Sequence, residues 1–464
     1  MKHLVVVPDG NPIFPAWCVD HAMQLVSESN QVHFLNLQEL NSYTFRRKFK
    51  NQFFRISRKN RCLDLLSKLC RENRISQHTI SESSTLGDFE KLGADAKETF
   101  KLAMSSKYGA VFGNRTVSLE ELPDEIVQRE RHFFHLAYLQ TQRLITNYQI
   151  ESVSTVNGRL VVSSAVVMAS RDLGVEVKLL ESVDFLGNRY QVFNKSPHDL
   201  HEVAELQKEL WSMAGDTRDE EAVNFFEDRY LSRLRILRSK DYTFNEYYRA
   251  PTKDIKIAAF FPTTDTEYPV FSDFHVASTF GGSQRNAFLA FAKIASKKGF
   301  HVVVRVHPQD PGSHCLAEQE DLIWKKLCLE AGAEFIGSLS GVNSYDLLQK
   351  SDLCATYSSS IGIEAVLMGK PLIMLGESDY SNYISQNLAH TSIRIEELLE
   401  SGIPKVAISS LYPWAYWKIR GGSEMKCFKV ELGTGLLFNA QRVDEMKFVF
   451  KLMKAVFQKT RIKL

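Results

Sequence analysis

The chain has 464 residues, of which 44% are apolar and 24% are charged, and its formal net charge is +2. This length exceeds one ordinary core and predicts two domains, while the near-neutral charge argues against a dedicated nucleic-acid-binding protein. Seven cysteines without a CxxC pair indicate reduced thiols rather than a disulfide framework or a zinc site. Neither an apolar stretch of the roughly 20 residues that a bilayer requires nor a signal-peptide core is found, so the sequence predicts a cytoplasmic protein.

Short β-branched runs alternate with helical patterns through the first part of the chain. Strand, helix and strand in succession predict a doubly wound α/β domain with a parallel sheet. Residues 198–249 are charged and helix-rich, which predicts helical covering and a linker at the end of this domain. The predicted elements are strands at 4–8, 31–37, 152–156 and 175–181, with helices beginning near Trp17 and covering 163–174.

The same pattern restarts after Pro251 and predicts a second parallel α/β domain. An amphipathic helix is expected over 283–299, with Ser283 as its N-cap and Gly299 at its end. Further predicted elements are strands at 256–262, 301–308, 352–357 and 371–375 and a helix at 322–332. We expect domains at 1–250 and 251–440, followed by a segment 441–464 whose amphipathic helix, 443–459, packs back on the first domain.

Three serines follow the strand predicted at 352–357. Ser358, Ser359 and Ser360 stand where a strand passes into a helix, and hydroxyls and backbone N–H groups at such a junction suit a phosphate. Glu364 lies about one turn further on in an otherwise apolar helix, and a buried carboxylate needs a partner. A donor ribose is one such partner, and the alternative is a serine N-cap followed by a solvent-facing glutamate.

A histidine ends the strand predicted at 301–308. His307 and Pro308 follow the apolar run, and an imidazole there can hydrogen-bond or protonate a departing phosphate oxygen. Strand alternation places Arg305 on the same face as His307, which makes both candidate donor-binding residues. The alternative is a histidine that caps a turn stiffened by Pro308.

Two acidic residues and a glycine-rich turn follow the first strand of the second domain. Asp265 and Glu267 are candidates for a catalytic base, a nucleophile or ligands of substrate hydroxyls. Their acid-x-acid spacing also occurs in metal-dependent sugar transferases, but accompanying metal ligands are absent from the sequence. Gly282 and Ser283 open a helix and can approach a phosphate closely. A solvated turn and an ordinary helix cap are equally good interpretations.

The first domain offers polar residues at the ends of its strands. Asn157 and Arg159 follow one strand and Glu181 ends the next, which makes them candidate acceptor-binding groups. Asp9 and Gly10 follow the first strand and suit an acceptor loop, with Asp9 as a possible base. Composition alone favours an ordinary turn at Asn157.

The segment 43–61 is densely basic and contains four phenylalanines. Such a composition is typical of a solvated basic face and also suits an anionic membrane surface. We expect peripheral membrane contact, at the inner face of the cytoplasmic membrane, rather than binding of nucleic acid.

Taken in order, these motifs resemble those of a known family. RVHP at 305–308, YSSSIGIEA at 357–365 and GKP at 369–371 resemble GT-B fold glycosyltransferases. With NGR at 157–159 and FFPTTDTEY at 260–268, the set is similar to the capsule polysaccharide biosynthesis family, which includes bacterial Kdo transferases. The resemblance covers roughly residues 150 to 430.

The resemblance implies two Rossmann-like parallel-sheet domains that face a central cleft. It also implies transfer of a sugar from a nucleotide donor, CMP-Kdo or a related acidic sugar, to a polysaccharide or glycolipid acceptor. His307-Pro308 and Ser358 to Ser360 would then bind the donor phosphate, and Glu364 would bind the ribose. Such enzymes need no metal for the donor, and the nucleotide sugar is a substrate rather than a cofactor.

The resemblance leaves three points open. Related sialyltransferases carry a paired acidic-glycine motif in the first domain, and Asp9-Gly10 is the one candidate here, so the base stays open among Asp9, Asp265 and Glu267. The alternative donor is a UDP-sugar or a CDP-polyol. A third possibility is a catalytically inactive GT-B-like scaffold subunit.

Overall fold

A computed structural model describes most of the chain. The described residues are 1–8, 13–37, 68, 70–72, 75–79, 89–111, 118–184, 186–238, 246–252, 254–263, 279–308, 314–426, 428–431, 435–438 and 441–442. They form two compact units. Unit 1 comprises residues 1–104, 122–197 and 420–464, and unit 2 comprises residues 105–121 and 198–419.

Unit 1 is built on a largely parallel sheet, which has seven strands within the described ranges. The strand order is β12-β6-β5-β4-β1-β2-β3, with β6 antiparallel to both of its neighbours. Its strands are β1 (Lys2–Val7), β2 (Gln31–Asn36), β3 (Ser76–Thr79), β4 (Ser152–Val156), β5 (Glu176–Ser182), β6 (Arg189–Phe193) and β12 (Ser423–Glu424). A small antiparallel sheet adds β13 (Phe428–Glu431), β14 (Gly435–Phe438) and β15 (Gln441–Arg442).

Helices cover the apolar strands of unit 1. Because a parallel sheet is buried on both faces, β1 is an almost continuous apolar run, and Val5 and Val7 pack with Trp17 in one core. The helices are α1 (Ile13–Ser27), α2 (Ala94–Val111, whose last turns belong to the other unit), α3 (Asp124–Tyr148) and α4 (Val161–Asp172).

Unit 2 contains a parallel sheet of order β11-β10-β7-β8-β9, five strands in the part of the chain described. The strands are β7 (Lys256–Phe261), β8 (Phe300–Arg305), β9 (Glu334–Ile336), β10 (Leu353–Thr356) and β11 (Leu372–Met374). The helices are α5 (Leu200–Met213), α6 (Arg218–Arg238), α7 (Gln284–Lys297), α8 (His314–Ala331), α9 (Ser344–Lys350), α10 (Ile361–Leu367), α11 (Ser392–Ser401) and α12 (Tyr412–Arg420). Ser283 is the N-cap of α7 as predicted, and Gly299 follows the C-cap with φ 82°.

The predicted fold class, α/β with two Rossmann-like parallel sheets, is confirmed. The boundaries differ, because residues 198–249 were expected with the first domain and instead belong to the unit that holds β7 to β11. Phe226 of α6 explains this placement, since it packs in the core of unit 2 beside Trp414. The chain then returns to unit 1 at residue 420, earlier than the expected end of the second domain at 440.

Several predicted features lie outside the described residues. They are Asp9, Gly10, Asp265, Glu267, the basic segment 43–61 and the helix expected over 443–459. The predicted cleft concerns the placement of the two units and stays a prediction. Among the helices that are described, none combines the length and the apolar character needed to cross a membrane.

Candidate functional site

The order of strands in unit 2 reverses at one place. The chain runs from β7 outward through β8 to β9, and then crosses to β10 on the other side of β7. In open parallel sheets, ligands bind beyond the carboxyl ends of the strands at such a switch point. Thr263 follows β7 there, and Ser358, Ser359 and Ser360 follow β10. The serines predicted from the sequence therefore lie at the switch point of this sheet.

Buried side chains hold the serine turn, which comprises residues 357–360. The Thr356 hydroxyl donates to the Phe261 carbonyl (2.8 Å) and accepts from the Ser359 N–H (3.2 Å), so it ties the turn to the end of β7. The Tyr380 hydroxyl donates to the Ser359 carbonyl at 2.6 Å. Tyr380 is 1% exposed, and burial raises the pKa of its phenol well above the usual value, which keeps the donating proton in place. Both backbone polar groups of Ser359 are thus fixed.

Gly362 permits the close approach of Tyr380. A Cβ at this position would lie far inside van der Waals contact of Tyr380 Oη and 3.3 Å from Met374 Sδ. The glycine in the first turn of α10 is therefore required by the tyrosine packed beside it rather than by its own backbone conformation.

The three serines have different roles. The Ser359 hydroxyl accepts from the Ile361 N–H at 3.4 Å, a long local hydrogen bond. Ser360 occupies the N-cap position of α10 and makes no capping hydrogen bond with its side chain. Ser358 and Ser359 are half-buried and Ser360 is exposed.

The buried partner of Glu364 is an arginine. Glu364 is 2% exposed, and its Oε1 lies 2.6 Å from Arg229 Nη2. Arg229 is on α6, where it follows Ala222 and Phe226 on the buried face, and its guanidinium carbon lies 5.9 Å from the centre of the Trp414 ring. The sequence predicted that Glu364 needs a partner but did not identify it. The sequence does contain an indication of this partner, because Arg229 lies three residues after Phe226 and therefore on the same, apolar face of the helix.

Arg305 and His307 lie in different environments. The strand ends at Arg305, so its alternation does not extend to His307. The Arg305 guanidinium is 1% exposed and donates to the carbonyls of Val306, Gly337 and Ser340. It therefore braces the turn after β9, and its role in donor binding stays a prediction.

His307 is exposed at the carboxyl edge of the sheet. Its Nδ1 lies 2.9 Å from the Pro308 carbonyl oxygen. Since a carbonyl only accepts, this contact requires the proton on Nδ1. The Nε2 atom can then donate to a phosphate oxygen only when the ring is the imidazolium.

A glutamine that the sequence analysis missed joins β7 to α7. The Gln284 side chain accepts from the Thr263 N–H and donates to the Thr263 carbonyl, both at 3.0 Å. Ser283 caps the helix by accepting from the Asn286 N–H at 3.3 Å, and Gly282 ends the short 3-10 turn before it. This junction lies at the carboxyl end of β7, beside the switch point.

Lys370 of the GKP motif has a structural role. Its Nζ donates to the carbonyls of Gln349 and Ser351, the second at 2.9 Å, where α9 ends. It therefore holds the segment before β10 and not the edge that carries the serines.

In unit 1 the structure brings together three predicted acceptor residues. The Asn157 amide donates to Glu181 Oε2, and the Arg159 backbone N–H and Nε both donate to Asn157 Oδ1 at 3.2 Å. Asn157 has φ 62°, a left-handed conformation that asparagine tolerates. The group lies at the carboxyl ends of β4 and β5, and β4 adjoins β1 where the strand order of this sheet reverses. The predicted turn is thus an ordered polar cluster.

No group of three or more histidine, cysteine, aspartate or glutamate side chains in the described ranges is arranged to hold a metal ion.

The model of one protein family matches part of the chain. The model of the family described as "Capsule polysaccharide biosynthesis protein" matches residues 268–386. This segment includes His307, the serine turn and Glu364, and the resemblance predicted from the sequence is confirmed for it. No curated protein sequence matches the chain.

The chain is also similar to solved structures of low identity. Two are from Thermosulfurimonas dismutans: a KpsC beta Kdo 2,4 transferase (17% identity, 57% of this chain and 79% of that one, TM-score 0.37) and a KpsC beta Kdo 2,7 transferase (17%, 68% and 89%, 0.35). A third is the UDP-GlcNAc 2-epimerase of Neisseria meningitidis (12% identity, 98% of this chain and 100% of that one, TM-score 0.29).

Proposed function

We propose that this chain is a GT-B-type glycosyltransferase of capsule polysaccharide biosynthesis, which transfers a sugar from a nucleotide donor to a polysaccharide or glycolipid acceptor. One observation carries the proposal. The serine turn lies at the switch point of the sheet in unit 2, inside the segment that matches the capsule polysaccharide biosynthesis family. Kdo or a related acidic sugar linked to CMP is the proposed donor.

The donor phosphate would be met by hydroxyls and by His307. In the transition state, negative charge builds up on the departing phosphate, and donors already in place stabilise it without reorganisation. The hydroxyls of Ser358 and Ser360 supply two such donors. His307 would supply a third through Nε2, because Nδ1 faces the Pro308 carbonyl. Glu364 would accept from the hydroxyls of the donor ribose.

The acceptor would be bound by unit 1. The cluster of Asn157, Arg159 and Glu181 offers a carboxylate and a guanidinium at the carboxyl edge of the sheet, which suits the hydroxyl and acidic groups of a glycan. The acceptor hydroxyl must also lose a proton, and Asp9, Asp265 and Glu267 are the proposed candidates for that base. We further propose that the reaction needs no metal for the donor and takes place at the cytoplasmic face of the membrane.

Nucleotide binding tests this proposal directly. The thermal stability of the full chain is measured with CMP, UDP, CDP and GDP, and selective stabilisation by CMP is the expected result. Selective stabilisation by UDP or CDP would redirect the proposal to a UDP-sugar or CDP-polyol transferase. No response to any nucleotide would indicate an inactive scaffold and refute the proposed activity.

The variant His307→Ala separates chemistry from folding. Loss of one transition-state donor of this kind costs about 100-fold to 1000-fold in rate, and the exposed position of His307 predicts unchanged stability. Transfer is followed as release of the free nucleotide from CMP-Kdo in the presence of a glycan acceptor. Full activity in this variant would remove His307 from the site.

A further inference from the structure

The pair of Arg229 and Glu364 places two opposite charges in an apolar part of unit 2. Glu364 is flanked on α10 by the buried Ile363 and Ala365, and Arg229 shares the buried face of α6 with Phe226. Replacing a buried ion pair by apolar residues of similar volume is often neutral or stabilising. Stability alone therefore does not account for an arginine and a glutamate at these positions.

Packing fixes the guanidinium of Arg229. The guanidinium lies against the Trp414 ring, whose other contacts include the nearly parallel Phe226 ring at 6.3 Å between centroids. Arginine presents a rigid planar fork of donors, so a guanidinium held in this way also fixes the plane of a carboxylate bound to it. With Nη2 at 2.6 Å from Oε1, the direction of the Glu364 carboxylate is set by α6.

A fixed carboxylate can accept further hydrogen bonds. An ionised carboxylate has about four acceptor sites on its two oxygens, so the ion pair with Arg229 does not exhaust them. The two adjacent hydroxyls of a ribose are donors of matching number, and whether they can be accepted depends on how the carboxylate is turned. Glu364 is almost completely buried, which leaves little freedom for a carboxylate turned the wrong way to correct itself.

We propose that Arg229 is a positioning residue that orients Glu364 toward the hydroxyls of the donor ribose. Arg229 thereby determines the preference of the site for ribonucleotides over 2′-deoxyribonucleotides. This inference rests on the proposed nucleotide-dependent function and adds a residue from a helix that lies outside the matched segment.

Affinities for matched nucleotide pairs test the proposal. The dissociation constants of CMP and 2′-deoxy-CMP, and of UMP and dUMP in parallel, are measured by calorimetry for the full chain. One hydrogen bond to a charged group predicts that the ribonucleotide binds about tenfold more tightly. In Arg229→Lys, which keeps the charge and loses the planar fork, this ratio is expected to fall toward one while the affinity for the deoxynucleotide stays unchanged.

A second variant keeps the test valid if Arg229→Lys is unstable. The double variant Arg229→Met/Glu364→Leu replaces the pair by apolar residues of similar volume and is expected to fold and to bind both nucleotides of a pair equally. Asp346→Asn is the matched control, since Asp346 is also buried in unit 2 and paired, with Lys350 at 2.9 Å, in the helix that precedes β10. It should keep the wild-type ratio.

The outcomes separate this inference from the proposed function. Binding of no nucleotide by the wild-type chain refutes the function, and the inference falls with it. Tight nucleotide binding without a ribose preference, or an unchanged ratio in Arg229→Lys, overturns the role of Arg229 alone.

Discussion

Replacing Gly362 by alanine tests the geometry that holds the serine turn. The added Cβ would overlap Tyr380 Oη and lie 3.3 Å from both Met374 Sδ and Tyr380 Cζ. Tyr380 is buried and its hydroxyl is bonded to Ser359, so it cannot move away freely. Overpacking of this kind costs about 1–3 kcal/mol, and we expect a value near the upper end because a hydrogen bond is also strained.

Removing the tyrosine hydroxyl should rescue the alanine variant. Tyr380→Phe alone loses the hydrogen bond to the Ser359 carbonyl, about 1 kcal/mol, while that carbonyl keeps its 3.2 Å contact from the Gly362 N–H. In Gly362→Ala/Tyr380→Phe the atom that clashed is gone. The double variant should therefore be more stable than Gly362→Ala, with a coupling energy of about 2 kcal/mol.

Urea unfolding followed by tryptophan fluorescence measures this cycle. Every tryptophan except Trp17 lies in unit 2, so the signal is dominated by the unit that contains the serine turn. Strict additivity of the two substitutions would show that Gly362 and Tyr380 do not share this contact and would refute the reasoning.

Two further predictions concern buried charge. Arg229→Met should destabilise unit 2 by about 3–5 kcal/mol, because it removes the guanidinium from a buried carboxylate. The double variant Arg229→Met/Glu364→Leu should have a free energy of unfolding within about 1 kcal/mol of the wild type. Urea unfolding measures both variants, and equal losses of stability would contradict this reasoning. Burial lowers the pKa of His21 from 6.5 to about 4. The unfolded chain therefore binds the proton first, and stability should fall as the pH decreases from 6.5 to 4, by on the order of 3 kcal/mol. Comparison with His21→Gln, which lacks this proton, isolates the contribution, and identical pH profiles would show that His21 titrates normally in the fold.

The sequence predicted strands more accurately than the assignment of helices to domains. The strand at 152–156 matches β4 residue for residue, because β-branched residues favour a strand and the turn residues Asn157 and Gly158 close it. The charged helices of 198–238 were assigned to the wrong unit, because an amphipathic pattern shows that a helix covers a core and not which core. The packing of Phe226 against Trp414 places these helices on the core of unit 2.

The candidate site was predicted in outline. Residues that directly follow strands, such as His307 and Ser358, could be placed at the carboxyl edge from the sequence because strand ends are visible in it. Gln284, Arg229 and Tyr380 were missed. Each of them contacts an element that is remote in the chain, and a local sequence pattern does not predict such a contact.

By itself the sequence determined the α/β class and the polar ends of the strands, and its motifs indicated the family that matches residues 268–386. These properties are local, since they depend on the order of apolar, turn and hydroxyl residues along the chain. Only the tertiary structure decided that the serines meet β7 at a switch point, that Tyr380 and Thr356 hold Ser359, and that Glu364 pairs with Arg229. The physical reason is that a buried polar group must find its partner wherever packing brings one, and packing joins elements that the sequence keeps far apart.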